Sequence, residues 1–528
     1  MSKQKKNILK ELKKLDKDLI KLIKKRSEVL SQYVKKKVQT GDSIVDSDLE
    51  KELWKRWNEL IHLGFDGKLL RKVFNYLNWI GYELKPETVE DNWKFILNPS
   101  LIPVDIDIPG PRDRVCSKFW IIVYAGAGKP FEFRHIVLND SMHELLKALN
   151  LANGDFSWAK DRVIFEAKRR LNFELRPIFV GEDKLNLYLM VFLSLAFSGK
   201  IKFTGGNELK ILNLEPLFKI LSQLGARGVS LIPHAEGLPI KVEASGIFQD
   251  SITIPQKVDD ELVVSLILCS LFYKTPSGFL KIVYPYTIKN SYLHRVFDIF
   301  KELNVKWEKN DKEFVIYTCD FDLPDNPKIY LDPILSGFVL AFPQAVGGKA
   351  ILRGPYPLGL DEGKDVLDIL LSSDLNVDVF EDRVESLKGP KKPSYYINPH
   401  NSDLFPLALA VGFLCEPEAI VKIEDNYDLN LLEDLEVRYD IRENLLYLYT
   451  TGERSFPKVN LSVKEPIWNL VYALISYKRP YICIEDPGSI TAIWPQFWNI
   501  YRSASKCRSW DIEEDKRNEQ SRRRILVG

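Results

Sequence analysis

The chain has little of what metal and redox chemistry require. Its 528 residues include only 6 Cys, 6 His and 3 Met. The cysteines, at 116, 269, 319, 415, 483 and 507, stand alone without the close pairing of a zinc site, and the histidines are equally scattered. No metal and no cofactor is expected, and lone thiols in apolar runs fit a reducing cytoplasm better than an export route. Long hydrophobic runs are missing too. The stretches Leu187 to Phe197 and Leu262 to Phe272 fall well short of the roughly 20 residues that span a bilayer. The Lys-rich N-terminus lacks the apolar core and cleavage site of a secretory signal, so no membrane partner is expected. Net charge is also absent: Lys+Arg 74 against Asp+Glu 73 leaves +1. That excludes a whole-molecule field for a nucleic acid backbone and confines binding to local patches.

What is present is ordinary for a folded chain: 45% hydrophobic, 28% charged and 12% aromatic residues. At about 150 residues per domain the length suggests three or four domains. The first 40 residues hold 13 Lys and one Arg against four acids. They are no plain basic arm, because Ile8, Leu12, Leu15, Leu19, Leu22, Ile23, Val29, Leu30 and Val34 recur at helical spacing. This predicts one long helix with an apolar stripe and a charged, solvated face. A loop over Thr40, Gly41, Asp42 and Ser43 ends it. A second helix is expected from Asp46 to Leu63, capped by Asp46 or Ser47 and stopped at Gly64, and a third from Lys68 to Gly81. Three helices leave much of the long stripe uncovered, so a homodimer through them is expected. Nucleic acid is not an expected partner, since the basic helix lacks interleaved exposed aromatics and carries acids among its lysines.

Past Pro86 the texture changes and one unit recurs: an amphipathic helix, a Leu-Gly or Leu-Asn stop, an alternating strand, a charged turn and a second strand. It stands at Leu217 to Ile232, Val296 to Tyr317, Val366 to Leu387 and, shortened, Leu431 to Tyr449. Gly225, Asn304 and Asn376, 79 and 72 residues apart, suit the left-handed cap that turns a helix into a strand. The apolar segments Leu262 to Phe272, Leu335 to Phe342 and Leu404 to Phe413 read as buried helices. Repetition at this period predicts a pseudosymmetric α/β protein rather than a solenoid. The charged tail from Lys506 to Gly528 is expected to be disordered or a solvated helix.

Arg26 and Lys37 lie 11 residues apart, about three helical turns, and Asp46 and Glu50 lie four apart on one face of the next helix. Two cations beside two carboxylates suit a small dianion that carries a hydroxyl. On these residues the segment resembles the all-helical chorismate mutase family. LKKLDKDLIKLIKKRSEVLSQYVKKK is similar to its first helix and VDSDLEKELW to its Asp-x-x-x-Glu second helix. The resemblance implies rearrangement of chorismate to prephenate without a covalent intermediate, driven by conformer selection and preorganised charge. It also implies roles: Arg26 on a substrate carboxylate, Lys37 on the breaking ether oxygen, Asp46 and Glu50 along the pocket, Glu50 near the hydroxyl. Two positions depart from the family. The arginine lent by the dimer partner is replaced by Leu9 beside Lys10, and the polar residue late in the third helix by Leu84 and Lys85. Lys10 or Lys85 would act only as a point charge.

Leu101 to Arg502 resembles 3-phosphoshikimate 1-carboxyvinyltransferase, or EPSP synthase. The resemblance rests on IPGPRD at 108–113, the repeated units, Asp332 before an apolar helix and a Gly-Gly turn, Ser402-Asp403 before another, and DPGSITAIWPQFW at 486–498. It implies two pseudosymmetric lobes of repeated βαβαββ units with substrates in the cleft between them. Asp403 matches the family's catalytic aspartate and Arg112 its phosphate-binding lysine. Other anion-binding motifs are altered. Gly181-Glu182-Asp183-Lys184 stands where a glycine-rich backbone cradle should face an anion, and Glu424 to Asp428 replaces a loop that carries Lys and Arg. Glu465-Pro466-Ile467 stands at the Asp-His-Arg motif, and Ala492 at the last lysine. Each change removes positive charge. Asp403 and Asp332 also stand where helix N-caps would.

The expected fold is an all-α chorismate mutase-like domain at 1–85, an α/β two-lobed EPSP synthase-like domain at 100–505 and a tail at 506–528. The expected function lies in aromatic amino acid biosynthesis, on small anionic, chorismate-like metabolites. Catalysis is assigned to Arg26, Lys37, Asp46, Glu50 and Asp403, and substrate binding to Arg112 and Lys10. The alternative is a non-catalytic binding or regulatory protein on the same scaffold.

Overall fold

The computed structural model describes residues 3–39, 47–59, 66–83 and 95–505, less 198, 257, 285–291, 311, 319, 424–428, 450–457 and 464. Three helices come first: α1 (Lys3–Gln39), α2 (Ser47–Asn58) and α3 (Gly67–Glu83). Phe74 of α3 is fully buried, with the rings of Trp54 and Trp57 from α2 at 5.3 and 5.5 Å. Leu30, Ser27 and Ser31 are buried on α1, and the two small serines let α3 approach closely. This packing uses the second half of α1. From Glu11 to Leu22 every residue is exposed, and Leu12, Leu15, Leu19 and Leu22 lie bare in a row at 50–65% exposure. The first helix covers the stretch expected of it, and the second is α-helical as far as Asn58, its expected end at Leu63 lying outside the described residues. The expected cap Asp46 and stop Gly64 lie outside the described residues, as does the tail from 506.

The rest forms two lobes, each with its own apolar core. The first core draws on residues 116–329, the second on 97–106 and 331–504 joined by Val137. The strand Val104–Pro109 pairs in parallel with Gly348–Arg353 of the second lobe, so the chain starts there, crosses to the first lobe at 110–113 and returns at 329–332. The two crossings run side by side. Arg112 bridges Leu331, Asp113 N donates to Tyr330 O at 2.8 Å, and Asp332 N donates to Pro111 O at 2.8 Å.

Four of the six sheets share one plan, a parallel pair followed by two antiparallel strands. In spatial order, one runs Ile178–Phe179, Gly199–Thr204, Ile240–Ala244, Ala226–Ser230. Its second-lobe counterpart runs Val104–Pro109, Gly348–Arg353, Arg383–Lys388, Leu375–Val379. These are the repeats read from the sequence. Gly225 (φ 77°) and Asn304 (φ 54°) take the left-handed conformation at their helix stops. Asn376 does not. The helix Asp361–Leu371 closes on Ser372, Ser373 Oγ donates to the Leu370 carbonyl at 2.7 Å, and Asn376 is already in a strand opposite Leu387. The N–H groups of Ser372 and Ser373 also close the helix end, on Asp368 O at 2.9 Å and Leu370 O at 3.1 Å, so the helix has ended before the chain reaches Asn376.

Each lobe encloses three helices that are apolar all round, as buried helices are. In the first they are α4 (Arg114–Ala127), Lys184–Leu195 and Asp260–Cys269; in the second, Pro333–Leu340, Phe405–Leu414 and Trp468–Ile475. The helical segment rests on the first lobe through α3. Asn75 Nδ2 donates to Lys210 O at 3.3 Å, Lys72 Nζ pairs with Glu236 at 2.5 Å, and Gly67 lies so close to His234 that a Cβ would stand 2.8 Å from its Nδ1.

Candidate functional site

On the helical segment the structure fixes Arg26 between α1 and α3. Its Nη1 donates to Leu77 O at 2.9 Å and its Nη2 to Asn78 Oδ1 at 2.5 Å, which aligns the guanidinium along α3. Glu50 is largely buried on α2, its carboxylate 3.4 Å from Lys210 Nζ of the first lobe. The backbone of Lys37 and Lys10 lies in α1, but their side chains, and Asp46 as a whole, lie outside the described residues. Two charged groups that the motif reading missed stand near Glu50. Arg71, 5% exposed, stacks on Trp54 with Cζ 4.3 Å from the ring centroid. Burial brings its pKa down to about 10, with Glu50 acting against that. Its signal was legible, since a charge between Leu70 and Phe74 interrupts a buried stripe; Lys210, about 160 residues beyond Glu50, gives none.

The cleft between the lobes is organised by the starts of the buried helices, where free N–H groups and the helix dipole favour an anion. The chain fills these positions itself. Asp113 caps α4 through Cys116 N at 2.7 Å, Asp183 caps Lys184–Leu195 through Leu185 N at 2.8 Å, and Asp332 caps Pro333–Leu340 through Leu335 N at 3.1 Å. Glu182 receives the N–H groups of Asn207 and Glu208 at 2.9 and 3.0 Å.

Three cations among the described residues, Arg114, Lys118 and Arg295, are taken up by acids at these helix starts or by Glu362. Arg295 donates Nε and Nη2 to Asp113 at 2.9 and 2.7 Å, and Nη2 also to Glu362 at 2.7 Å. Arg114 pairs with Asp332 at 2.8 Å, and Lys118 with Asp183 at 2.6 Å. Burial alone would lower the pKa of Arg295, but Asp113 and Glu362 outweigh it and raise it. Burial would raise that of Asp183, but Lys118 and Ser141 hold it below the ordinary carboxylate range. Three cations thus meet four carboxylates, and Arg295–Glu362 and Arg114–Asp332 tie one lobe to the other.

Arg112 sits at the lobe crossing, with Nη1 donating to Ile329 O at 3.2 Å. Gly354 makes room for it, since a Cβ there would lie 2.2 Å from that nitrogen, and burial lowers its pKa. It opens on a groove of about 530 Å³ shared with Glu132, Arg134 and Lys328. Asp403 is exposed in a short turn and caps nothing; Asn401 Oδ1 accepts from Asp403 N and Leu404 N at 3.0 and 3.2 Å. Arg112 and Asp403 have no mutual hydrogen bond or ion pair among the described residues. Asp365, Asp368 and His400 bring potential ligand atoms within 4.8 Å of one another, but at an open surface where Asp368 is 64% exposed. Among the described residues no helix is long and apolar enough to cross a membrane.

The model of the chorismate mutase type II family matches residues 8–101. The large domain is similar in structure to EPSP synthase from Acinetobacter baumannii, with TM-score 0.65 and 13% identity over 78% of this chain and 98% of that one. It is also similar to the enolpyruvyl transferase NikO from Streptomyces tendae, with TM-score 0.58 and 12% identity over 78% and 97%. The chain therefore joins a segment similar to chorismate mutase type II to a two-lobed domain with the fold of EPSP synthase.

Proposed function

We propose that the helical segment converts chorismate to prephenate and that the large domain serves it as a scaffold and not as a carboxyvinyl transferase. The observation that carries this reading is the charge balance of the cleft. Transfer between two phosphate-bearing substrates needs spare cations, whereas Arg114, Lys118 and Arg295 are already bound to carboxylates. A dianion would have to break those pairs and would meet Asp113, Asp183, Asp332 and Glu362 in the process. On the helices Arg26 instead has its guanidinium aimed by two contacts to α3, and with Lys37, Asp46 and Glu50 it is assigned to the mutase site. Lys10 would contribute from a second copy; Asp403 and Arg112 would act only if the cleft bound an anion. The alternative, a non-catalytic binding or regulatory protein, is favoured by that same cleft and differs only in what the helices do.

A direct assay of chorismate loss by the purified chain decides between them. Activity should fall about a hundredfold or more in Arg26→Ala, as expected for one buried charge-assisted contact made in the transition state; equal rates in the two proteins would leave the binding reading. Titration with shikimate 3-phosphate should give no micromolar binding. The bare row Leu12, Leu15, Leu19 and Leu22 supports a homodimer through α1, because an apolar stripe of this length on a free helix seeks a partner. Light scattering that gives a monomer mass would refute that. Cys116, Cys269, Cys415 and Cys483 are buried, and burial raises the thiol pKa of Cys116, Cys269 and Cys415, in keeping with a reducing cytoplasm. The domain borders at 1–85 and 100–505 belong to the same proposal.

A further inference from the structure

Glu50 and Lys210 lie on different domains and bury each other, at 16% and 18% exposure. Lys210 Nζ is 3.4 Å from both Glu50 oxygens, long beside the 2.7–2.9 Å or so of a tight charge-assisted bond. It is shared with Asn207 Oδ1 at 3.3 Å, so the ammonium is held in place without being clamped by one acceptor. Its backbone is set from the helical side, since Lys210 O accepts from Asn75 Nδ2. Close by, Arg71 has Nε and Nη1 buried without a hydrogen-bond acceptor among the described residues, and it feels the carboxylate charge of Glu50. A guanidinium short of acceptors leaves positive potential around the Glu50 carboxylate.

We infer that the mutase-like site is shared between the two domains, and that Lys210 of the first lobe is one of its ligand-binding residues. The inference rests on the function proposed above. The ligand it fits is a dicarboxylate with a free hydroxyl: the hydroxyl donates to the Glu50 carboxylate, which faces Lys210, while the Lys210 ammonium turns to a ligand carboxylate. Counted with Arg26, which the resemblance places at the same site, the described groups are three cations against one carboxylate. That is the reverse of the cleft, and the surplus matches a dianion. The docked lobe therefore supplies charge that the three helices lack on their own.

The test titrates the full-length protein calorimetrically with prephenate, a dicarboxylate with one hydroxyl, and follows chorismate loss in parallel. Lys210→Met should weaken prephenate binding and raise KM about tenfold, the scale of one charge-assisted contact, and should flatten the salt dependence of affinity. Lys210→Arg should stay near the parent, and Lys219→Met, on an exposed surface pair with Glu215, should match it. If Lys210→Met does not fold, Lys210→Gln answers the same question. Unchanged affinity, KM and salt dependence in either neutral variant overturn the inference and leave the proposed function intact. A parent protein that neither binds prephenate nor consumes chorismate overturns the proposed function, and this inference with it. A purely structural Lys210 would lower the melting temperature without altering the salt dependence.

Discussion

Arg295 holds two carboxylates at once, and its side chain is only 6% exposed. Replacing it with Met would strand Asp113 and Glu362, both withdrawn from water, so Arg295→Met should lose about 3–5 kcal/mol of stability, read as a lower denaturant midpoint. Arg353→Ala, which removes an exposed pair with Asp107, should leave that midpoint where it is. Asp183 makes a pH prediction. Its folded pKa lies below the ordinary 3.8, so its contribution is complete above that value and is lost as acidification carries the pH down through the folded pKa. Asp183→Asn should therefore flatten the acid limb of a stability-against-pH curve below about pH 4, where the parent falls steeply. At this scale the sequence was partly legible. Carboxylates at Glu182 and Asp183 stood out because they occupy a place suited to bare backbone N–H groups, and the structure has them accepting N–H bonds themselves. Arg114, Arg295 and Lys210 could not be read, because their partners lie 67 to 218 residues away and no local spacing records such pairs.

Among the elements, the stops between helix and strand separate two kinds of constraint. Gly225 has φ 77°, and a Cβ there would lie 2.4 Å from Ile247 O; Asn304 takes a similar φ of 54° with a side chain in place. Gly225→Ala should cost about 1–3 kcal/mol in thermal or chemical unfolding, from the left-handed backbone and the clash together. Asn304→Gly should change stability by less than about 1 kcal/mol. Equal effects would mean that the close approach to Ile247 does not matter. The repeat was legible because helix, stop and alternating strand follow one another locally in the sequence. Asn376 misled because asparagine marks a left-handed turn only at the end of a helix, and here the helix has already closed at Ser372 and Ser373. The fourth unit gave no glycine or asparagine to read, since Glu436 takes φ 55° in that place.

For the whole molecule, the two ion pairs across the cleft, Arg295–Glu362 and Arg114–Asp332, hold the lobes together without a bound anion. Small-angle scattering should therefore give the same radius of gyration with and without added shikimate 3-phosphate. A double variant Arg114→Met, Glu362→Gln should be measurably wider; contraction of the parent on adding the ligand would mean that the cleft still closes on an anion. The two-lobed plan followed from the repeats, whereas the seating of α3 on the first lobe involves Gly67, Lys72 and Asn75 against residues 207–211 and 234–236. Nothing in either stretch announces the other.

The double crossing at 110–113 and 329–332 has a consequence for synthesis. The strand Val104–Pro109 leaves the ribosome well before its neighbour Gly348–Arg353, and at about 5–20 residues per second it waits roughly 12–50 s for it. Phe95–Leu97 waits longer still, for Ile482–Ile484. During that interval the inserted lobe can complete its own interior, while two unsatisfied strand edges remain open to any nascent chain nearby. A polypeptide released near residue 330 would keep those edges, which makes the second half of translation the stage at which a chaperone would be needed most.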